Sequence, residues 1–256
     1  KRTPQSPSPG DVKDAVKILL AAKRPVIWSG MGVLFAKASD ELRELAELTE
    51  VPVYCTLSGK SSFDERHPLS LGAGSGATSL PARKWLQESD VLFAVGSSMT
   101  RTSYGQPIPG GKVIIHNVES IEDINKDFSV DVGLPGDAKL TLNAMIQEVK
   151  SQVGEHGCKR QNNVSDEIAE IRKGWLAEWA PLLNSDEVPI NTYRVIGELE
   201  RTLEKKTSVV THDAGAPRDT IIPFYTATIP HSYIGWGKTT HLGYGIPLMI
   251  GAKLAM

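Results

Sequence analysis

Two short stretches carry residue types that could hold a phosphorylated ligand. The first, GWGKTTHLGYGIP from Gly235 to Pro247, contains GKTT, the four letters that close a P-loop. That loop requires G-x-x-x-x-G-K-[ST] between a strand and a helix. Counting back from Gly237 and Lys238 puts Ser232 where the first glycine must stand. The residue that lets backbone N–H groups arch around a phosphate is missing. The preceding run carries Pro230, which a central strand does not accommodate. A P-loop phosphotransferase is therefore set aside, and the remaining glycines are read as allowing close approach of backbone to a planar ring. The second stretch is VVTHDAGAPRD, a strand-like run that leads into the loop 213–218. A diphosphate there would meet backbone N–H groups at the start of a helix. Pro217 contributes no N–H, and Arg218 either adds charge or faces water.

Other candidates are weaker. Gly30-Met31-Gly32 follows the strand-like PVIWS, but a dinucleotide fingerprint G-x-G-x-x-G would need a third glycine where Phe35 stands. The six histidines (67, 116, 156, 212, 231 and 241) show no metal-ligand spacing. His212 and His241 lie in the two loops, and either is placed to meet a substrate. The two cysteines, Cys55 and Cys158, are read as reduced thiols of a cytoplasmic protein.

The elements that must position these loops follow an α/β order. Residues 1–10 are rich in proline and serine and read as a linker. Asp11 caps an amphipathic helix with Val12, Val16, Leu19 and Leu20 on one face. A strand over 25–29, a helix over 38–49 with Leu42, Leu45 and Leu48 inward, and a strand over 51–56 come next. LSLGAGSGATS (69–79) reads as a Gly/Ser-rich loop. A helix over 81–88, strands over 90–96, 112–118 and 130–132, and a helix over 137–149 complete a unit spanning 11–150. Near-continuous apolar strands alternating with helices indicate a mostly parallel sheet, dinucleotide-binding-like, with helices on both faces. A polar, helix-prone connector spans 151–188, where Trp175 and Trp179 at i, i+4 spacing are read as packing residues. A second unit, 189–256, contains a helix, a short strand, the loop 213–218 and an apolar helix from Pro247. It is too short to close an α/β sheet and is read as truncated.

Bulk properties exclude several classes. The 256 residues have 40% hydrophobic and 23% charged content and a net charge of −2, with no basic block. Nucleic-acid and polybasic membrane binding have no support. No apolar run approaches the roughly 20 residues of a spanning helix.

Taken together, AVKILLAAKRPVIWSGMGV, the connector and GWGKTTHLGYGIPLMIGAKLA resemble thiamine-diphosphate enzymes of the acetolactate synthase type. The resemblance runs from Pro9 onward and covers their central domain and the first part of their diphosphate-binding domain. It implies that Gly215, Ala216 and Pro217 form the diphosphate loop, although Ala216 and Pro217 replace a common Gln-His pair. It implies that the Thr240 carbonyl and the Leu242 N–H meet the aminopyrimidine within the turn that includes His241 and Gly243. The Leu242 side chain would wedge beneath the cofactor and hold it bent, which brings the pyrimidine amino group against the thiazolium C2–H. The competing reading makes Leu242 ordinary core at the start of an apolar helix.

The resemblance also implies Mg²⁺ ligands beyond Met256 and a catalytic glutamate before Lys1, acting across a dimer interface. No catalytic or metal-binding residue is then expected in this chain, which alone would be inactive. In relatives the central domain holds FAD, ADP or nothing. Here the G-x-R-F pattern is replaced by Gly96-Ser97-Ser98-Met99, Arg101 stands three residues late, and Asn117 replaces an aspartate while Glu119 is kept. An altered or vestigial nucleotide pocket is expected. The function implied is decarboxylation or ligation of 2-oxo acids by a transferase or lyase, as a homodimer or homotetramer. The alternative is a nucleotide-binding (FAD/ADP) module without catalytic activity.

Overall fold

The computed structural model describes residues 3–160, 163–236 and 241–255. The first helix, α1, spans Pro9–Ala21 and buries Val12, Ala15, Val16 and Leu19 along one stripe. It begins two residues before Asp11, because Pro9 fits the first turn, where its missing N–H has no helical partner to lose. There follow β1 (Pro25–Ser29), α2 (Met31–Phe35), α3 (Ser39–Thr49), β2 (Val53–Thr56) and β3 (Ser70–Gly74). Then come α4 (Leu80–Glu88), β4 (Val91–Val95), β5 (Val113–Val118), β6 (Val132–Pro135) and α5 (Ala138–Val153).

The six strands form one all-parallel sheet in the order β3-β2-β1-β4-β5-β6. Every residue of β1 and β4 is buried. Successive side chains point to opposite faces, so both faces of the sheet must be covered. Helices α1, α3 and α5 pack together, and α4 lies against β3. The chain therefore has the strand order of a doubly wound dinucleotide-binding sheet.

Strand β3 occupies the segment read from sequence as a loop. SLGAG lacks β-branched and aromatic residues, and β2 is its one strand neighbour among the described residues, at the sheet edge, with a register irregularity at Val53/Tyr54.

The remaining elements are α6 (Val164–Leu183), α7 (Thr192–Thr202), β7 (Val210–Thr211), α8 (Ala216–Phe224), β8 (Tyr233–Ile234) and α9 (Gly245–Ala255). Strands β7 and β8 pair in parallel. The tryptophans of α6 pack as expected: Trp175 stacks on Phe224 at 4.8 Å, and Trp179 lies 4.9 Å from Tyr193 and 5.1 Å from Phe224.

Several contacts join this part to the sheet, two of them through basic side chains. The loop after β2 sends the buried Lys60 ammonium to the carbonyl of Ile222 at 3.1 Å. Just before α6, the Arg160 guanidinium donates to the carbonyls of Leu19 and Ala22 at the end of α1 and of Thr49 at the end of α3.

Candidate functional site

Strand order reverses between β1 and β4, so the connections leaving their C-terminal ends diverge and open a crevice. A cleft of about 540 Å³ lies there, lined by the turns after β1 and β2, by Gly74 and Ser75, and by the segment 96–108. Among the described residues its lining holds no carboxylate, and Arg101 is its one charged side chain. The Arg101 guanidinium lies 4.6 Å from the centre of the Phe128 ring, while its backbone N–H donates to Asp127. Trp28 Nε1 and Ser75 Oγ, both of residues lining the cleft, are buried without a hydrogen-bond partner. Buried polar groups are ordinarily satisfied, so these two atoms are open to a polar partner.

The weak glycine signal after β1 has a different explanation. A Cβ on Gly30 would stand 2.3 Å from the Gly96 carbonyl oxygen, and one on Gly32 would stand 2.7 Å from Gly96 Cα. These glycines let the β1 and β4 turns touch, sealed by a Gly32 N–H to Gly96 carbonyl bond of 2.8 Å. Asn117 is turned inward: its amide donates to the Leu134 and Gly136 carbonyls and to Thr141 Oγ1, and its oxygen accepts from Gly96 N–H. Glu119 is exposed. His116 Nε2 donates to the Ser97 carbonyl at 2.7 Å, which anchors the cleft segment, and burial pushes its pKa down.

The two loops singled out by sequence meet at Asp213. Its carboxylate accepts from the N–H groups of Ala214 (2.7 Å), Gly243 (2.9 Å) and Gly245 (3.1 Å). Those bonds, the Gly245 one foremost, hold its pKa below the usual carboxylate range. Gly215 caps α8 at φ 76°, so Ala216, Pro217 and Arg218 form the first helical turn rather than a free loop. Gly243 turns at φ 80°. His241 is exposed, and Leu242 is 74% exposed, so Leu242 is not core. Thr240, with Gly237, Lys238 and Thr239, lies outside the described residues.

His212 Nδ1 lies 3.0 Å from the Asp213 carbonyl; a carbonyl only accepts, so Nδ1 carries the proton. Nε2 is left buried with a free lone pair. Desolvation, then the charge of Arg218, pushes the His212 pKa down. The ring stacks on Trp236 at 5.4 Å, and the Trp236 indole N–H donates to the His212 carbonyl.

Sequence reasoning passed over Asp213, Trp28, Ser75 and Tyr104. An acidic residue directly before a strand-end Ala-Gly is a signal that could have pointed to Asp213. The others lie in stretches without periodicity. Among the described residues there is no group of three or more His, Cys, Asp or Glu able to hold a metal ion, and no helix long and apolar enough to cross a membrane.

This sheet and cleft agree with the comparison to known proteins. The family model for the thiamine pyrophosphate enzyme central domain matches residues 12–145. The chain belongs to that family. A probable acetolactate synthase large subunit of Methanococcus aeolicus is 31% identical over 96% of this chain and 42% of its own length. The acetolactate synthase isozyme 3 large subunit of Escherichia coli K12 is 28% identical over the same shares. An acetolactate synthase of Mycobacterium bovis is 29% identical over 98% of this chain and 40% of its own length. The chain thus spans about two fifths of the length of the curated relatives it matches.

Proposed function

We propose that this chain belongs to a thiamine-diphosphate- and Mg²⁺-dependent enzyme that decarboxylates or ligates 2-oxo acids, an acetolactate synthase-like carboligase. The observation that carries it is the Asp213 carboxylate tying the start of α8 to the turn before α9. When bound, the cofactor supplies a carbanion able to add to a keto carbonyl. The Gly215-Ala216-Pro217 turn is assigned to its diphosphate, and Thr240, His241, Leu242 and Gly243 to its pyrimidine side. The exposed side chain of Leu242 supports the wedge and not the core reading. The catalytic glutamate and the Mg²⁺ ligands are assigned to parts of the protein outside these 256 residues, and the assembly to a homodimer or homotetramer. The chain taken alone is expected to be inactive.

The test is pyruvate consumption by the natural-length protein with thiamine diphosphate and Mg²⁺, repeated with Leu242→Ala. Cofactor-independent consumption, or none with any 2-oxo acid, would sink the reading.

A second reading concerns the central cleft, which we assign to an ADP-type nucleotide, alone or as part of FAD. The unpartnered Trp28 Nε1 and Ser75 Oγ favour a polar ligand there. Titration with ADP and FAD tests it; absence of binding by either would end it.

A further inference from the structure

The residues assigned above to the pyrimidine side of the cofactor, Thr240 to Gly243, lie in the chain between Trp236 and Tyr244. Both ends of that segment are held by two adjacent residues, His212 and Asp213. At the exit, the Asp213 carboxylate accepts the N–H groups of Gly243 and Gly245. At the entrance, Trp236 is held twice by His212. The two rings stack at 5.4 Å and 15°, and the indole N–H donates to the His212 carbonyl at 2.8 Å. The same imidazole stacks on Tyr233 of β8 at 5.9 Å, and its Nδ1–H donates to the Asp213 carbonyl. His212 is 5% exposed.

We propose that His212 is a positioning residue of the thiamine diphosphate site, whose ring fixes the entrance of the segment that meets the pyrimidine. The inference rests on the assignment of that segment to the cofactor.

The ring centres of Trp236 and Tyr244 lie 5.2 Å apart, so the chain returns beside the point from which it left. A segment with both ends fixed has lost its closure entropy during folding, and less ordering remains to oppose binding of a ligand. Gly235, one residue before the entrance, is pressed on the loop after β2. A Cβ there would stand 2.0 Å from the Leu57 carbonyl oxygen. Backbone contact thus limits where Trp236 starts, and the stack on His212 fixes which way its ring turns. The other ring beside Trp236 among the described residues is Tyr244, at the far end of the same segment. His212 is therefore what ties the entrance to the end of β7, as Asp213 ties the exit.

Calorimetric titration of the natural-length protein with thiamine diphosphate plus Mg²⁺ tests this, beside thermal melts of the cofactor-free protein. His212→Ala is expected to weaken the cofactor about fivefold or more, the worth of one aromatic stack. The amides of Gly243 and Gly245, which Asp213 holds, should keep their protection in hydrogen exchange. His212→Phe keeps a flat ring for the stack and is expected to restore most of the affinity. His212→Asn keeps a donor for the Asp213 carbonyl without the ring and is expected to restore little. A lowered melting temperature with unchanged affinity would reduce His212 to packing and overturn the proposal. So would a phenylalanine variant no better than the alanine one. If His212→Ala does not fold, Trp236→Leu is used: weakened cofactor supports the proposal, and unchanged affinity overturns it. Failure of the unaltered protein to bind thiamine diphosphate would instead end the assignment of the segment, and the proposal with it.

Discussion

The Lys60 ammonium lies 2.6 and 2.8 Å from the two carboxylate oxygens of Glu65, and the side chains are 0% and 8% exposed. Each residue also bonds across to the second part of the chain: the Lys60 ammonium to the Ile222 carbonyl, and the Glu65 N–H to the Ala227 carbonyl at 3.0 Å. The ammonium also lies 5.3 Å from the centre of the Tyr233 ring. A buried ion pair sits on the seam between the sheet and the elements that carry the loops proposed for the cofactor.

Removing one partner leaves an unpaired buried charge, which costs about 3–5 kcal/mol. Lys60→Met should therefore destabilise strongly, and Lys60→Met with Glu65→Leu should regain most of the loss. Denaturant unfolding followed by tryptophan fluorescence checks this. Equal losses in the single and double variants would show that packing, not charge, holds the seam.

Asp213→Ala should untie the two loops. The amides of Gly243 and Gly245 would then lose protection in hydrogen exchange, while β1 and β4 keep theirs. The folded pKa of Asp213 lies below its unfolded value. Its stabilisation is thus complete above the unfolded carboxylate pKa of about 4 and disappears as pH falls through the folded value. Wild type and variant should converge in acid.

His116 and His212 are both held neutral by burial, with pKa values below the ordinary one. The unfolded chain then binds their protons more readily, so stability falls as pH drops below the unfolded histidine value of about 6.5. Melting temperatures should decline from pH 7 toward pH 5. His116→Gln should flatten that decline, and an unchanged slope would assign it to other groups.

Gly32→Ala places a methyl 2.7 Å from Gly96 Cα. Forced overpacking of this kind costs about 1–3 kcal/mol. The loss should appear in thermal melts with no ligand present, since these glycines serve contact between two turns.

Leu242→Ala should leave stability within about 0.5 kcal/mol, as expected for an exposed side chain. Thiamine diphosphate affinity and pyruvate turnover in the natural-length protein should both drop. A large stability loss would instead return Leu242 to the core.

The fold was legible where burial imposes a pattern. PVIWS and VLFAV read as strands because residues buried on both faces must be apolar throughout. SLGAG was illegible because an edge strand can be built from glycine, serine and alanine once β2 supplies the hydrogen bonds. In the candidate sites, residue types pointed to the loops at 213–218 and 241–247, but which atoms meet there is a property of tertiary approach. Asp213 gathering amides from residues 30 and 32 positions later leaves no local trace. The close pairing of Gly30 and Gly32 with Gly96 mimicked a phosphate motif for the same reason.

The Arg160 guanidinium donates to the ends of α1 and α3, which lead into the starts of β1 and β2, so it marks the end of the sheet opposite the cleft. From there α6 runs for 20 residues, about 30 Å at 1.5 Å per residue. It is fixed along the way by ion-paired Arg24 and Glu167 and by Arg172 on the Ser70 carbonyl. The helix acts as a strut of set length that delivers α7 and α8 to the height of the cleft. Adding or removing one residue would turn its far end by about 100°, since 3.6 residues make a turn. The register of this connector therefore sets how α7 and α8 meet the sheet.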